Sequence, residues 1–179
     1  MSRKNGDRRF RLKYAVLGDG MTEQFYLKHL KDVKGYNYAT RPSLFNNIEI
    51  SQDRDIIDEL LRGGTDGIVY LTDYDTIVNQ HRKAEFDELK NRYQDIPQVL
   101  ICETMPSIEF WFLLHYQYTT QSFQNATEAL NALKKYMPSF EKRKVWLAKS
   151  QWVNELCADN KMDTAVENAM ESTMSNCSL

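Results

Sequence analysis

The sequence predicts an α/β protein: a mainly parallel four-stranded sheet with helices on both faces, followed by a helical appendage. Three observations predict it. Strand-like and helix-like segments alternate four times over the first 116 residues. One of the strands, IVYL at 68–71, is a continuous apolar run, as expected of a strand covered on both faces. From residue 119 onward the patterning is helical only. Strand–helix alternation is the signature of parallel pairing, because each crossover returns the chain to the same end of the sheet.

The elements follow in order. Residues 1–10 form a flexible basic arm, in which Arg3, Lys4, Arg8 and Arg9 face a single acid, Asp7. Such a run reads as a solvated tail or as an arm laid on nucleic acid. Residues 12–17 (LKYAVL) are the first strand, and Gly18-Asp19-Gly20 is a turn. Residues 22–33 carry Phe25, Tyr26, Leu30 and Val33 at helical spacing. Residues 47–51 (NIEIS) alternate as a second strand, and 53–62 form a short helix with Ile56, Ile57, Leu60 and Leu61 on one side. A loop of turn residues, 63–67, leads into the IVYL strand. Residues 79–93 read as a polar helix anchored by Phe86 and Leu89. Pro97 opens a fourth strand at 98–102 (QVLIC), and a turn at 104–106 leads into an apolar helix at 107–116. In the appendage, Asn125 or Thr127 caps a helix that ends before Pro138, and 145–157 and 164–174 are two more helices. The expected organisation is one domain: an arm (1–10), an α/β core (11–118) and a helical extension packed on it (119–179).

Length and composition narrow the function. A chain of 179 residues fits one hydrophobic core, and 42% apolar with 27% charged residues is ordinary for a globular protein. The net charge of −2 excludes a general basic coat for nucleic acid, though not a local basic face. The longest apolar stretch, around Phe110–Leu114, ends at His115 and falls far short of the roughly 18 residues a membrane helix needs. No membrane is expected. Cys102, Cys157 and Cys177 are distant and odd in number, which suits neither a disulfide framework nor a zinc cluster. The expected location is the cytoplasm.

The candidate chemistry lies in carboxylates at the strand ends, where parallel sheets place their sites. Asp19 follows the first strand, with Glu23 one helical turn later; Asp73 and Asp75 follow the third; Glu103 follows the fourth, with Glu109 in the next helix. The first and third strands of such a sheet are normally neighbours, so Asp19 and the Asp73/Asp75 pair are expected to face each other. Carboxylates so placed repel unless a cation lies between them. Mg²⁺ suits hard oxygen ligands and keeps waters that phosphate oxygens can replace. Taken singly, each acid has a plainer reading. Asp-x-Asp is a turn or a helix cap as readily as a metal site, and Glu23 complements a helix dipole. The coincidence at matching strand ends favours the functional reading.

At these residues the sequence resembles the RloB-like family, bacterial proteins with a Toprim-type fold. Gly18-Asp19-Gly20-Met21-Thr22-Glu23 with Tyr26 is similar to the family's EGxTExxYF start, and Asp73-Tyr74-Asp75 stands at its DxD. The segment 106–115 (PSIEFWFLLH) is similar to NPxFExWxLLH, Phe140-Glu141-Lys142 to a later aromatic-x-Lys, and 165–169 (AVENA) to AIxxA. The resemblance implies a Toprim-like (Rossmann-like) fold, Mg²⁺- or Mn²⁺-dependent phosphodiester chemistry, a setting in phage defence or abortive infection, and an AAA- or ABC-type ATPase partner. It implies Asp19, one methylene shorter than the family glutamate, as an acid/base or metal ligand. It implies Glu23, Asp73 and Asp75 as further metal ligands. Glu109, His115 and Lys142 complete the catalytic candidates. Lys142 or His115 would stabilise the pentavalent oxyanion or the leaving group, although His115 also reads as a satisfied structural residue and Lys142 as part of a solvated Lys-Arg-Lys run. The expected function is a metal-dependent nuclease acting on DNA or RNA, with a homodimer as a further expected association.

Three other readings stand beside it. A non-catalytic partner or sensor subunit would keep the fold with a degraded metal site. A haloacid-dehalogenase-type phosphohydrolase is suggested by Asp73-x-Asp75-Thr76, but that pair belongs on a first strand with the threonine two places beyond. A dinucleotide module is disfavoured because Gly18-x-Gly20 lacks the third glycine of the phosphate-cradling turn.

Overall fold

The structure is a computed structural model that describes residues 12–42 and 49–176. The basic arm at 1–10 and Cys177 lie outside the described residues. In chain order the elements are β1 (Tyr14–Gly18), α1 (Met21–Lys34), β2 (Ala39–Arg41), α2 (Ile50–Arg62), β3 (Gly67–Asp73), α3 (Tyr74–Asn79), α4 (Lys83–Tyr93), β4 (Val99–Thr104), α5 (Ile108–Leu114), α6 (Ala126–Leu133), α7 (Lys144–Leu147), α8 (Gln151–Cys157) and α9 (Lys161–Asn176).

The four strands form an all-parallel sheet in the order β2-β1-β3-β4. The fold is therefore α/β and Rossmann-like, as the alternation predicts. The chain steps from β1 outward to β2, then returns to place β3 on the other side of β1. Strand order reverses there, and a crevice opens at the carboxyl ends of β1 and β3. The register sets Gly18 beside Leu71 and Asp73 beside Thr104.

Two apolar layers cover the sheet, because successive strand residues point to opposite faces. Leu17, Ile68 and Tyr70 pack with Ile57 of α2, Ile77 of α3 and Phe86 of α4. Val16, Val69 and Leu71 face the other way, against Phe25 and Tyr26 of α1 and Phe112 of α5. The carboxyl-terminal helices belong to this second layer: Leu133, Leu147, Trp152 and Leu156 are buried in it. Trp152 lies 5.3 Å from Phe112 and 5.8 Å from Phe140, ring centre to ring centre, so the helical extension shares one core with the sheet.

Four elements differ from the sequence reading. The second strand is Ala39–Arg41 rather than 47–51; residues 47 and 48 lie outside the described residues, and Ile50 and Ser51 open α2. The reason is local. Glu49 and Gln52 close a reciprocal capping box around the helix start, which sets Ile50, Asp53 and Ile57 on the buried side. The helix expected at 79–93 begins only at Lys83, as α4, because His81 takes a left-handed φ of 56° that no α-helix accommodates; α3, over 74–79, is a helix the sequence reading lacks. The helix expected at 145–157 is divided into α7 and α8. Asn125 caps α6 by accepting the Glu128 N–H (3.0 Å), but that helix ends at Leu133, three residues before the expected Tyr136.

Among the described residues no helix is long and apolar enough to cross a membrane.

Candidate functional site

The crevice at the ends of β1 and β3 collects acids from four elements. Asp19 leaves β1 in a turn whose backbone N–H donates to Leu71 O of the neighbouring strand (3.4 Å). The buried Thr72 hydroxyl, on β3, donates to Asp19 Oδ2. Burial pushes the Asp19 carboxyl up to about 6, against the opposing pull of Thr72.

Glu23 sits in the first turn of α1 and is only 2% exposed. Burial raises its carboxyl well above the ordinary range, and Asp73 and Asp19 raise it further. The glycines of the preceding turn make its position available. A Cβ at Gly18 would lie 2.7 Å from Glu23 Cβ, and a Cβ at Gly20 would lie 2.1 Å from Glu23 Oε2.

Asp73 ends β3. Its Oδ1 accepts from the Thr104 hydroxyl of β4 (2.5 Å) and from the Ile108 N–H that begins α5 (2.8 Å). No hydrogen bond reaches its other oxygen from the described residues. Burial raises Asp73 to about 7; Thr104 and Lys142 pull it down, while Glu109 and Asp19 push it up.

Glu109 is fully buried, yet both of its oxygens are served. Ser107 Oγ donates to Oε2 (2.6 Å) and Lys142 Nζ lies 2.8 Å from Oε1. Burial alone would lower the Lys142 ammonium pKa; the Glu109 partner, with Asp73 and Glu23 behind it, raises it instead.

These groups surround one cavity of about 260 Å³, lined by Asp19, Gly20, Glu23, Asp73, Arg82 and Lys142 among others. The structure thus gathers Asp19, Glu23 and Asp73 around one space, with Glu109 behind them and Lys142 at the wall. It places three other predicted residues elsewhere. Asp75 Oδ2 accepts the Ala126 N–H at the start of α6 (3.1 Å), and the residue lines a second, larger cavity. His115 closes α5, with Nδ1 against Trp111 O (2.9 Å) and its ring edge-on to Trp111 at 4.9 Å; burial lowers it to about 4. Glu103 pairs with Lys90 of α4.

Two residues of the site escape the sequence reading. Arg82 sits between α3 and α4 in a polar stretch where nothing separates it from Lys83. It brings a guanidinium to the acidic cavity, held by Glu85 (3.3 Å) and Glu49 (3.2 Å). Asp53 is fully buried on α2, accepts from the Tyr70 hydroxyl (2.9 Å), and is raised to about 8 by burial and by Asp19. Its signal was present: it interrupts the apolar stripe of Ile50 and Ile57.

The donor set is oxygen only. Among the described residues no three His, Cys, Asp or Glu side chains converge as ready metal ligands. That arrangement still fits Mg²⁺, which is usually held by one or two carboxylates, with water and substrate phosphate completing its shell. The raised carboxyls are what such a cation would relieve. Arg82 and Lys142 on the same walls suit a phosphate.

Comparison with curated proteins and with solved structures returns no match. The model of one family does match, along nearly the whole chain: residues 14–178 fit that of the RloB-like proteins, so this chain belongs to the RloB-like family.

Proposed function

We propose that the protein is a Mg²⁺- or Mn²⁺-dependent phosphodiesterase that cleaves DNA or RNA. One observation carries the reading: Asp19, Glu23 and Asp73, one buried and two half-buried carboxylates whose proton affinity is raised by desolvation, share a cavity with two cationic side chains. A cluster of this kind is costly to hold for packing alone, and perturbed acids in a cleft mark functional sites.

One or two of Asp19, Glu23 and Asp73 would hold the ion directly and the rest through its water shell; the ion would supply charge neutralisation at the phosphate and a bound water of lowered pKa. The chain's own residues do the rest. Thr72 orients the Asp19 carboxyl, which accepts a proton from the attacking water. Thr104 and the Ile108 N–H fix Asp73. Arg82 and Lys142 orient the phosphate and stabilise charge that grows on its oxygens. Glu109 holds Lys142 in place and acts only through it. An ATPase partner and a role in phage defence belong to the same proposal and rest on family membership.

A second reading, a binding or sensor subunit without cleavage, is favoured by the Glu109–Lys142 pair, since an ammonium already offsets part of the acidic charge. Cleavage of plasmid, single-stranded DNA and tRNA with Mn²⁺, by wild type and Asp73→Asn, separates the two. Cleavage lost in the variant supports the enzyme. Metal-dependent binding without cleavage supports the sensor.

A further inference from the structure

Helix α3 divides two cavities. Thr76, Ile77 and Gln80 line the acidic one; Tyr74, Asp75 and Val78 line another of about 640 Å³. Both open at the carboxyl ends of the central strands. Their chemistry differs. The larger cavity is walled by aromatic side chains, Tyr74, Phe110, Trp111 and Phe123, and its lining includes no Lys or Arg among the described residues. Its charged members are both acids, Asp75 and Glu103, of which Glu103 is paired with Lys90 outside the lining.

The walls are held in place. Trp111 Nε1 donates to the Tyr26 hydroxyl (2.8 Å), and Phe110 and Phe123 pack at 5.9 Å with their planes tilted by 60°. Asp75 is fixed twice: its N–H donates to Pro106 O (3.2 Å), and its Oδ2 accepts the Ala126 N–H. No hydrogen bond reaches Asp75 Oδ1 from the described residues.

A cavity with carboxylates and no cation repels phosphate. Aromatic walls suit a flat ring, and a free carboxylate oxygen suits a ring that carries an amino group. We infer that this cavity receives an unpaired, amino-bearing nucleobase of the strand whose phosphate lies in the acidic cavity, stacked on the Phe110–Phe123 wall and bonded through its exocyclic amine to Asp75. The base must be unpaired, because stacking on a side chain and bonding at that edge both require a base splayed out of a duplex. Cytosine, adenine and guanine qualify; thymine and uracil lack the amine. The inference rests on the nucleic-acid reading above for the place of the phosphate.

The test is strand binding with Ca²⁺ in place of Mg²⁺, using labelled oligo-dC, oligo-dT and an abasic strand of the same length. Oligo-dC is expected to bind wild type about tenfold more tightly than the abasic strand, with oligo-dT between them. Phe123→Ala should erase the advantage of the base-bearing strands, Phe123→Tyr should restore it, and Asp75→Asn should remove the preference for dC over dT. Circular dichroism checks that each variant is folded. Equal binding of abasic and base-bearing strands by wild type overturns the inference, as does an unchanged preference in Phe123→Ala. A change of oligomeric state in Phe123→Ala also overturns it, by assigning the cavity to contact between copies. Mn²⁺-dependent cleavage by wild type is scored separately. Cleavage without base preference sinks the base site alone, whereas neither binding nor cleavage sinks both readings.

Discussion

The carboxylate of Glu23 occupies the space where a side chain at Gly20 would begin, with Oε2 2.1 Å from the position of the missing Cβ. Gly20 has an ordinary extended backbone, φ −102° and ψ 159°, so its lack of a side chain serves space rather than conformation. The turn between β1 and α1 is built to admit one acid.

Gly20→Ala should therefore spare the fold and damage the site. The clash falls on the far end of a flexible side chain, so stability should change by about 1 kcal/mol or less. Glu23 must move, and Mn²⁺ affinity should fall by about tenfold or more, because placement of ligating groups governs affinity. Denaturant unfolding and calorimetry on the same sample check both parts.

Asp53 gives a prediction in pH. Its folded carboxyl is raised from 3.8 to about 8, so between those values the folded protein holds a proton that the unfolded chain has released. Stability must fall as pH rises through that window. Asp53→Asn keeps an acceptor for the Tyr70 hydroxyl and removes the titration. The variant should gain on wild type progressively from pH 4 to pH 8, with a level difference above. Denaturation midpoints at pH 5 and pH 9 measure it; a gap that does not widen with pH contradicts the assignment.

Lys142→Met should lower stability by about 1–3 kcal/mol, because it leaves the fully buried Glu109 without its cation. Adding Glu109→Gln should recover much of that loss. A double-mutant cycle reads the coupling.

His115 was a catalytic candidate on sequence, but it bonds within α5 and does not line the acidic cavity. His115→Gln should leave Mn²⁺ affinity unchanged and cost about 1–3 kcal/mol at pH 7. The deficit should shrink towards pH 5. Wild-type His115 is held neutral down to about 4, while the unfolded chain takes up its proton near 6.5, so wild type itself loses stability as pH falls through that range.

Much of this architecture is legible in the sequence, for physical reasons. IVYL reads as a strand covered on both faces, and the first and third strands of such a sheet are normally neighbours, which brings Asp19 near Asp73, as the β1–β3 pairing does. The second strand was misplaced because NIEIS alternates like a strand while Glu49 and Gln52 encode a helix cap, and capping chemistry prevailed. Spacing and the resemblance to the family's DxD group Asp75 with Asp73. The chain turns into α3 between them, so residues two apart face different cavities. Arg82 was not legible: only the left-handed turn at His81 brings it to the acids, and nothing in a polar stretch announces such a turn.

In the proposed function Asp19, Glu23 and Asp73 surround one cation. Titration of Mn²⁺ into wild type and Asp73→Asn by calorimetry tests it most directly. Asparagine retains the oxygen that Thr104 and the Ile108 N–H bond, so the fold should persist. Saturable binding to wild type, weakened by more than about tenfold in the variant, is the predicted result. Equal binding by the two proteins, or none by wild type, would contradict it.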